Sequence, residues 1–228
     1  MPQASIIAID GPAGSGKSAL GESLAHRLGY LYFDTGVVYR AVTWVALQRD
    51  VDVHDEAAVT SIAESINIEV TRPTVDDSRQ YTVLADGEDV TWQIFYREVD
   101  ANVSPVSAHP RVRRALLALQ QTIARRGRVV MVGRDIGTVV APDADLKIFL
   151  NAAPEVRAHR RHLQALQRAQ HADYQQILAD LRRRDKIDSE RQAAPLRPAD
   201  DAVLLSTDSL TVDEEVGFIC RLVDSRGG

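Results

Sequence analysis

The chain opens on an apolar, β-branched run at 5–10, crosses glycine-rich turn residues, then places leucine every four positions at Leu20, Leu24 and Leu28. The run predicts a buried strand, and the spacing predicts an amphipathic helix stopped by Gly29. A second apolar run at 30–33 and a helical stretch at 36–49 follow at once. Strand, helix, strand, helix reads as βαβ, a parallel sheet covered by helices. The rhythm then changes. After a helical segment at 54–65, strand-like runs at 66–70 and 81–90 flank a polar turn at 73–80, and Asp86-Gly87 is a tight-turn pair. These predict a small antiparallel insertion. Helical patterning returns at 91–103 and at 110–126, where Pro110 suits a first helical position. Further strands are predicted at 128–132, 146–150 and 202–206, with a charged helical stretch at 154–186. The capping box of Thr211 and Glu214 opens a last helix.

Composition adds bounds rather than detail. With 228 residues, 45% hydrophobic and 26% charged, the chain suits one α/β domain with a modest appendage. No apolar run reaches the roughly 18 to 20 residues of a membrane span. The single cysteine, Cys220, excludes an internal disulfide and a cysteine-built zinc cluster. A cytoplasmic protein away from membranes is expected. The net charge of −5 argues against nucleic acid as a partner, yet it averages two opposed regions. Residues 50–100 carry 13 acids against three bases, whereas residues 152–191 carry nine bases against six acids.

The chemistry enters with Gly11-Pro12-Ala13-Gly14-Ser15-Gly16-Lys17-Ser18, which matches G-x-x-x-x-G-K-[ST] between a strand and a helix. Glycines let backbone N–H groups turn toward an anion at a positive helix end. Lys17 would reach the outer phosphates and the Ser18 hydroxyl would join the shell of Mg²⁺. A nucleoside triphosphate is the expected ligand. The chain has no N-K-x-D guanine motif, and its best candidate strand, 129–132, closes on Gly133-Arg134-Asp135 rather than on an acidic pair. A compact kinase remains, and arginines that neutralise two phosphates at once should distinguish it.

Those arginines lie in recognisable segments. Together with residues 9–18, Asp34-Thr35-Gly36-Val37-Val38-Tyr39-Arg40, Gly133-Arg134-Asp135-Ile136-Gly137-Thr138, and Arg184-Asp185-Lys186-Ile187-Asp188-Ser189-Glu190-Arg191 followed by Ala194-Pro195-Leu196 resemble bacterial cytidylate (CMP/dCMP) kinases. Ser104 and Pro110-Arg111-Val112-Arg113 also fit, and the segments occur in the family's order over about residues 5–210. The resemblance implies a nucleoside monophosphate kinase fold: a five-stranded parallel sheet flanked by helices, with a small β insertion and a helical lid. The core would be 1–65, 93–151 and 193–228, the CMP-binding insertion 66–92, and the lid 152–192. The implied reaction moves the γ-phosphoryl group of ATP to CMP or dCMP, in a monomer, with Mg²⁺.

Residue roles follow from the same resemblance. Lys17, Arg134, Arg184 and Arg191 would be catalytic, and residues 11–18 would hold ATP. Arg40 and Arg134 would hold the acceptor phosphate, and Asp188 would face the ribose. Asp135 would accept from the cytosine amine, with Arg113, Ser104 and Thr35 donating and Tyr39 inside the same pocket. Alone, Arg182-Arg183-Arg184 reads as a solvated helix face, and only Arg184 falls in a motif. His159, His162 and His171 have no metal spacing, Trp44 and Trp92 read as core or hinge packing, and Cys220 as buried and inert. One residue departs from the family. Val132 stands where an acid that orients magnesium-bound water is common, so that either Asp10 or solvent replaces it or the affinity for magnesium is lower. Two other classes stay open: a P-loop kinase with another acceptor, and a triphosphate-dependent binding module without turnover.

Overall fold

The strands of the computed structural model, which describes residues 5–167 and 172–226, sort into two sheets according to what covers them. Strand β1 (Ile6–Asp10) leads through the glycine loop into α1 (Lys17–Leu28), and β2 (Leu31–Asp34) into α2 (Gly36–Gln48). Helix α3 (Glu56–Ser65) precedes β3 (Ile68–Thr71), β4 (Thr82–Ala85) and β5 (Glu88–Asp89). Helices α4 (Arg97–Ala108) and α5 (Pro110–Arg125) return the chain to β6 (Val129–Gly133) and β7 (Leu146–Asn151). Then come α6 (Pro154–Gln167), α7 (Tyr174–Glu190), β8 (Val203–Ser206) and α8 (Val212–Arg226).

The larger sheet runs β2-β6-β1-β7-β8, with every pairing parallel. Helices bury both its faces, so its central strands read as unbroken apolar runs, and Ile7, Ala8, Ile9, Val129, Val130 and Met131 have no exposed surface. Register pairs Asp10 with Gly133 and Asp34 with Val132, which aligns the carboxyl ends of three strands where crossover loops leave the sheet. Helix α1 lies unusually close to this sheet. A Cβ on Gly21 would come within 2.6 Å of the Val132 Cγ1 and 3.1 Å of the Tyr32 ring.

The second sheet, β3-β4-β5, is antiparallel, and Asp86 and Gly87 join its last two strands with φ of 51° and 85°. That is the left-handed pair a two-residue hairpin demands. Arg79 braces the sheet by donating to Asp77 and Asp89.

Three segments differ from the periodicity. The helix expected at 91–103 is a single 3-10 turn, Gln93–Phe95, a break at Tyr96, and then α4, which continues through Pro105 to Ala108. Buried Val99, Val103 and Val106 anchor α4 on both sides of the proline and outweigh its missing N–H. The stretch expected at 154–186 is two helices. Asp173 caps the second by accepting from Gln175 and Gln176 N–H, and α7 runs on to Glu190. His171 lies outside the described residues. Trp92 is not core: it is 48% exposed and donates to Asp77 at 3.0 Å, while Trp44 packs against the core and Cys220 is half-buried. No helix among the described residues is long and apolar enough to cross a membrane.

Candidate active site

The loop between β1 and α1 has a backbone only glycine tolerates at two of its turns. Gly11 has φ of 151° and no room for a Cβ, which would meet the Leu150 carbonyl at 2.4 Å; Gly16 has φ of 96° at the head of α1. Helix α1 therefore presents its unpaired N–H groups and positive end to the loop. Lys17 is folded over the same loop, donating to the carbonyls of Gly11 (2.8 Å) and Pro12 (2.7 Å) and to Ser15 Oγ (3.4 Å). Burial, and then the charge of Arg134, push the Lys17 ammonium well below its ordinary pKa. An anion beside it would reverse that shift. Ser18 is exposed at the rim, its hydroxyl bonded to that of Tyr32.

A cavity of about 280 Å³ opens beside Lys17. It gathers Ala13, Gly14, Lys17 and Ser18 from the loop with Thr35, Tyr39, Arg40, Ser104, Arg113, Arg134, Asp135, Arg184, Asp188 and Arg191. Gly11, Pro12, Ser15 and Gly16 shape the loop from behind and do not line it. Six arginines and Lys17 face four aspartates, Asp34, Asp100, Asp135 and Asp188. The positive surplus suits a multiply charged anion.

The polar groups order each other. Arg134 donates to Asp188 at 2.8 Å. Arg191, from the end of α7, reaches Asp135 at 3.3 Å and the Ala194 carbonyl at 2.6 Å. Asp135, only 5% exposed, also pairs with Arg113, which donates to the Ser107 carbonyl at 3.1 Å and lies over the Tyr39 ring. The Tyr39 hydroxyl accepts from Gln120 at 3.2 Å, and Thr35 donates to the Val132 carbonyl at 3.1 Å. Asp135 and Arg113 thus place an acceptor beside donors at the buried end, a pattern chemically suited to the edge of a flat heterocycle.

Asp10, at the end of β1, is engaged by the backbone. Its two oxygens accept from Ile136 N–H (2.7 Å) and Gly137 N–H (2.8 Å), bracing the Ile136–Val140 turn, and burial raises its pKa to about 6. Asp34 is one of the carboxylates that line the cavity with Ser18; its Oδ1 accepts from Gly36 N–H at 2.8 Å.

Sequence reasoning passed over five residues that tie the site together. Arg157 of α6, 2% exposed, donates to the Ala13 and Ala152 carbonyls and, through both terminal nitrogens, to Asp185 of α7. Thr207, just past β8, donates to the Ser15 carbonyl at 3.2 Å, and Arg160 in turn bonds the Thr207 hydroxyl and carbonyl. Arg161 and Asp100 complete the cavity wall. Arg157, Arg160 and Arg161 sit in a charged run whose helical phase would have put Arg157 and Arg161 on one face, four apart.

Comparison with known proteins is consistent over most of the chain. A curated cytidylate kinase from Herpetosiphon aurantiacus is 50% identical over 95% of this chain and 93% of its own. One from Chloroflexus aggregans is 52% identical over 93% of this chain and 91% of its own. Among solved structures, an uncharacterized protein from Eubacterium ventriosum shares the fold at a TM-score of 0.54 and 13% identity, covering 98% of this chain and 99% of that one. Residues 7–225 match the family model described as cytidylate kinase, and with relatives at this identity the chain belongs to that family.

Proposed function

We propose that this protein transfers the γ-phosphoryl group of ATP to the phosphate of CMP or dCMP, releasing ADP and CDP or dCDP. The observation that carries the reading is the shared cavity, which joins a phosphate loop to a cation-rich acceptor site with Asp135 and Arg113 at its buried end. An oxygen of the acceptor phosphate forms the new bond to the γ-phosphorus as the bond to the β–γ bridging oxygen breaks. That acceptor oxygen is already anionic at neutral pH, so the site needs no strong base. The obstacle is repulsion between two anions, and the catalytic contribution is alignment and fixed positive charge.

Residues 11–18 hold the donor triphosphate, with Lys17 at its outer phosphates. Arg40 and Arg134 hold the acceptor phosphate, and Arg184 and Arg191 approach the transferred group from α7. Asp188 takes the ribose, and Asp135, Arg113, Ser104, Thr35 and Tyr39 form the cytosine pocket. Residues 66–92 serve as the acceptor-side insertion and 152–192 as the lid. Arginine suits the phosphate roles because its planar fork keeps its charge and binds oxygens in pairs.

Mg²⁺ fits the donor set, since Ser18 and Asp34 offer hard oxygens within one cavity. Among the described residues no cluster of three acidic, histidine or cysteine side chains forms a metal cage, which agrees with an ion held largely by phosphates and water. When bound it supplies charge neutralisation and orientation of the β- and γ-phosphates.

A coupled ADP-release assay with CMP, dCMP, UMP and AMP, repeated with Lys17→Ala, tests the reading. Turnover concentrated on CMP and dCMP and lost in the variant is expected. Equal rates with UMP or AMP would overturn the cytosine pocket, and no turnover with any of the four would overturn the activity.

A further inference from the structure

One carboxylate in the cavity wall has a role that the catalytic assignments leave unexplained. Asp100 of α4 is met by guanidinium groups from three other helices: Arg40 of α2 at 2.7 Å, Arg161 of α6 at 3.4 Å and Arg184 of α7 at 3.8 Å. Its Oδ1 is shared by Arg40 and Arg184, and Oδ2 takes Arg161. Arg40 is also steadied at its other nitrogen, which donates to the Ile94 carbonyl at 3.2 Å, and its guanidinium lies over the Phe95 ring. One oxygen between guanidinium groups from different walls of a cleft is how a phosphate oxygen is gripped. Burial works against the charge of Asp100, but the hydrogen bond from Arg40 and the charges of Arg184, Arg40 and Arg161 hold its carboxyl below the ordinary value, so it is an anion at neutral pH.

We propose that Asp100 is a built-in counter-anion of three cavity arginines, positioning Arg40, Arg161 and Arg184 and competing with a substrate phosphate for them. The proposal rests on the assignment of Arg40 and Arg184 to phosphates made above. Three like charges converging from three helices repel one another, and a fixed carboxylate keeps them in reach of a common point. The same charge repels an incoming phosphate dianion. Asp100 is therefore a positioning residue that trades affinity for order: it keeps the arginines aligned and weakens the grip on any ligand that carries a phosphate there.

The test compares wild type, Asp100→Asn and Arg40→Gln, each titrated with CMP and with cytidine, which keeps the base and ribose but lacks the phosphate. Asp100→Asn preserves shape and removes charge. Its affinity for CMP rises about 10-fold while its affinity for cytidine stays unchanged. Arg40→Gln weakens CMP and spares cytidine. Thermal unfolding gives a second readout: Asp100→Asn melts below wild type in phosphate-free buffer and gains more than wild type from added inorganic phosphate. Asp100→Ser serves the same comparison if the amide disturbs α4. An unchanged or weaker CMP affinity in Asp100→Asn, with Arg40→Gln still selective for the phosphate, overturns the role of Asp100 alone. An Arg40→Gln protein that keeps the full CMP-to-cytidine difference overturns the phosphate assignment, and the proposal with it. Equal gains from inorganic phosphate in both proteins also overturn it.

Discussion

Glu215 lies in the first turn of α8, where the helix N-terminus favours negative charge, yet it is only 3% exposed, and burial lifts its pKa from 4.5 to about 7, with Arg160 opposing. A carboxyl whose folded pKa is raised binds its proton more tightly in the folded chain. Its contribution to stability is complete below about pH 4.5 and is lost as pH rises through about 7. Glu215→Gln should raise the melting temperature at pH 8, by a stability gain of about 1–3 kcal/mol, and change it little at pH 5. Melting curves at the two pH values decide it; an equal effect at both would show that ionisation is not involved. Asp135 is paired with two arginines at once, Arg113 and Arg191. Asp135→Asn should cut kcat/KM for CMP by about 100-fold or more and narrow its lead over UMP, measured with both acceptors, because the amide turns a donor toward the cytosine amine.

At the scale of elements, helix α1 shows why propensity alone misleads. Alanine is the better helix former by about 1 kcal/mol, so Gly21→Ala on an isolated helix would stabilise. Here the added methyl meets Val132 at 2.6 Å and Tyr32 at 3.1 Å, and the helix or the sheet must move. Gly21→Ala should destabilise by about 1–3 kcal/mol, and Val132→Ala in the same chain should recover part of the loss; denaturant titration of the two single variants and the double variant tests the coupling. Arg157 binds α6, α7 and the phosphate loop into one unit. Arg157→Met would leave the carbonyls of Ala13 and Ala152 and the Asp185 carboxylate without that partner, at a cost of about 3–5 kcal/mol. The same variant should bind ATP about 10-fold more weakly, because Ala13 belongs to the loop proposed above to hold it. Calorimetric titration with ATP checks this, and an unaltered affinity would separate Arg157 from the donor site.

Across the whole molecule, a chain of net charge −5 carries a cavity with seven cations against four carboxylates. The cleft therefore focuses a field opposite to that of the molecule as a whole. kcat/KM for CMP should fall about 10-fold between roughly 0.05 and 0.5 M salt, and a flat salt profile would mean that the surplus is not felt by the substrate. The parallel sheet was legible because strands buried on both faces leave unbroken apolar runs, and the glycine loop because its φ angles admit so few residues. Beyond the phosphate loop, the cavity residues that the sequence did offer, such as Arg134, Asp135 and Arg191, were legible only through segments that resemble a family. What escaped was long-range. Asp100 and Arg161 look like solvated helix residues until α4, α6 and α7 are packed together, and Pro105 looks like a helix end until Val99 and Val106 are seen buried on either side of it.

The bond from Thr207 to the Ser15 carbonyl joins residues 192 positions apart, linking the first loop of the chain to the residue after the last strand of its larger sheet. Such a contact carries the closure cost of a very long loop. During synthesis the phosphate loop emerges early, but it lacks this brace until β8 has left the ribosome and docked beside β7. A nascent chain stalled short of that point holds the nucleotide motif without its finished geometry. The loop's full set of contacts is then complete only once β8 has docked, late in the folding of the chain.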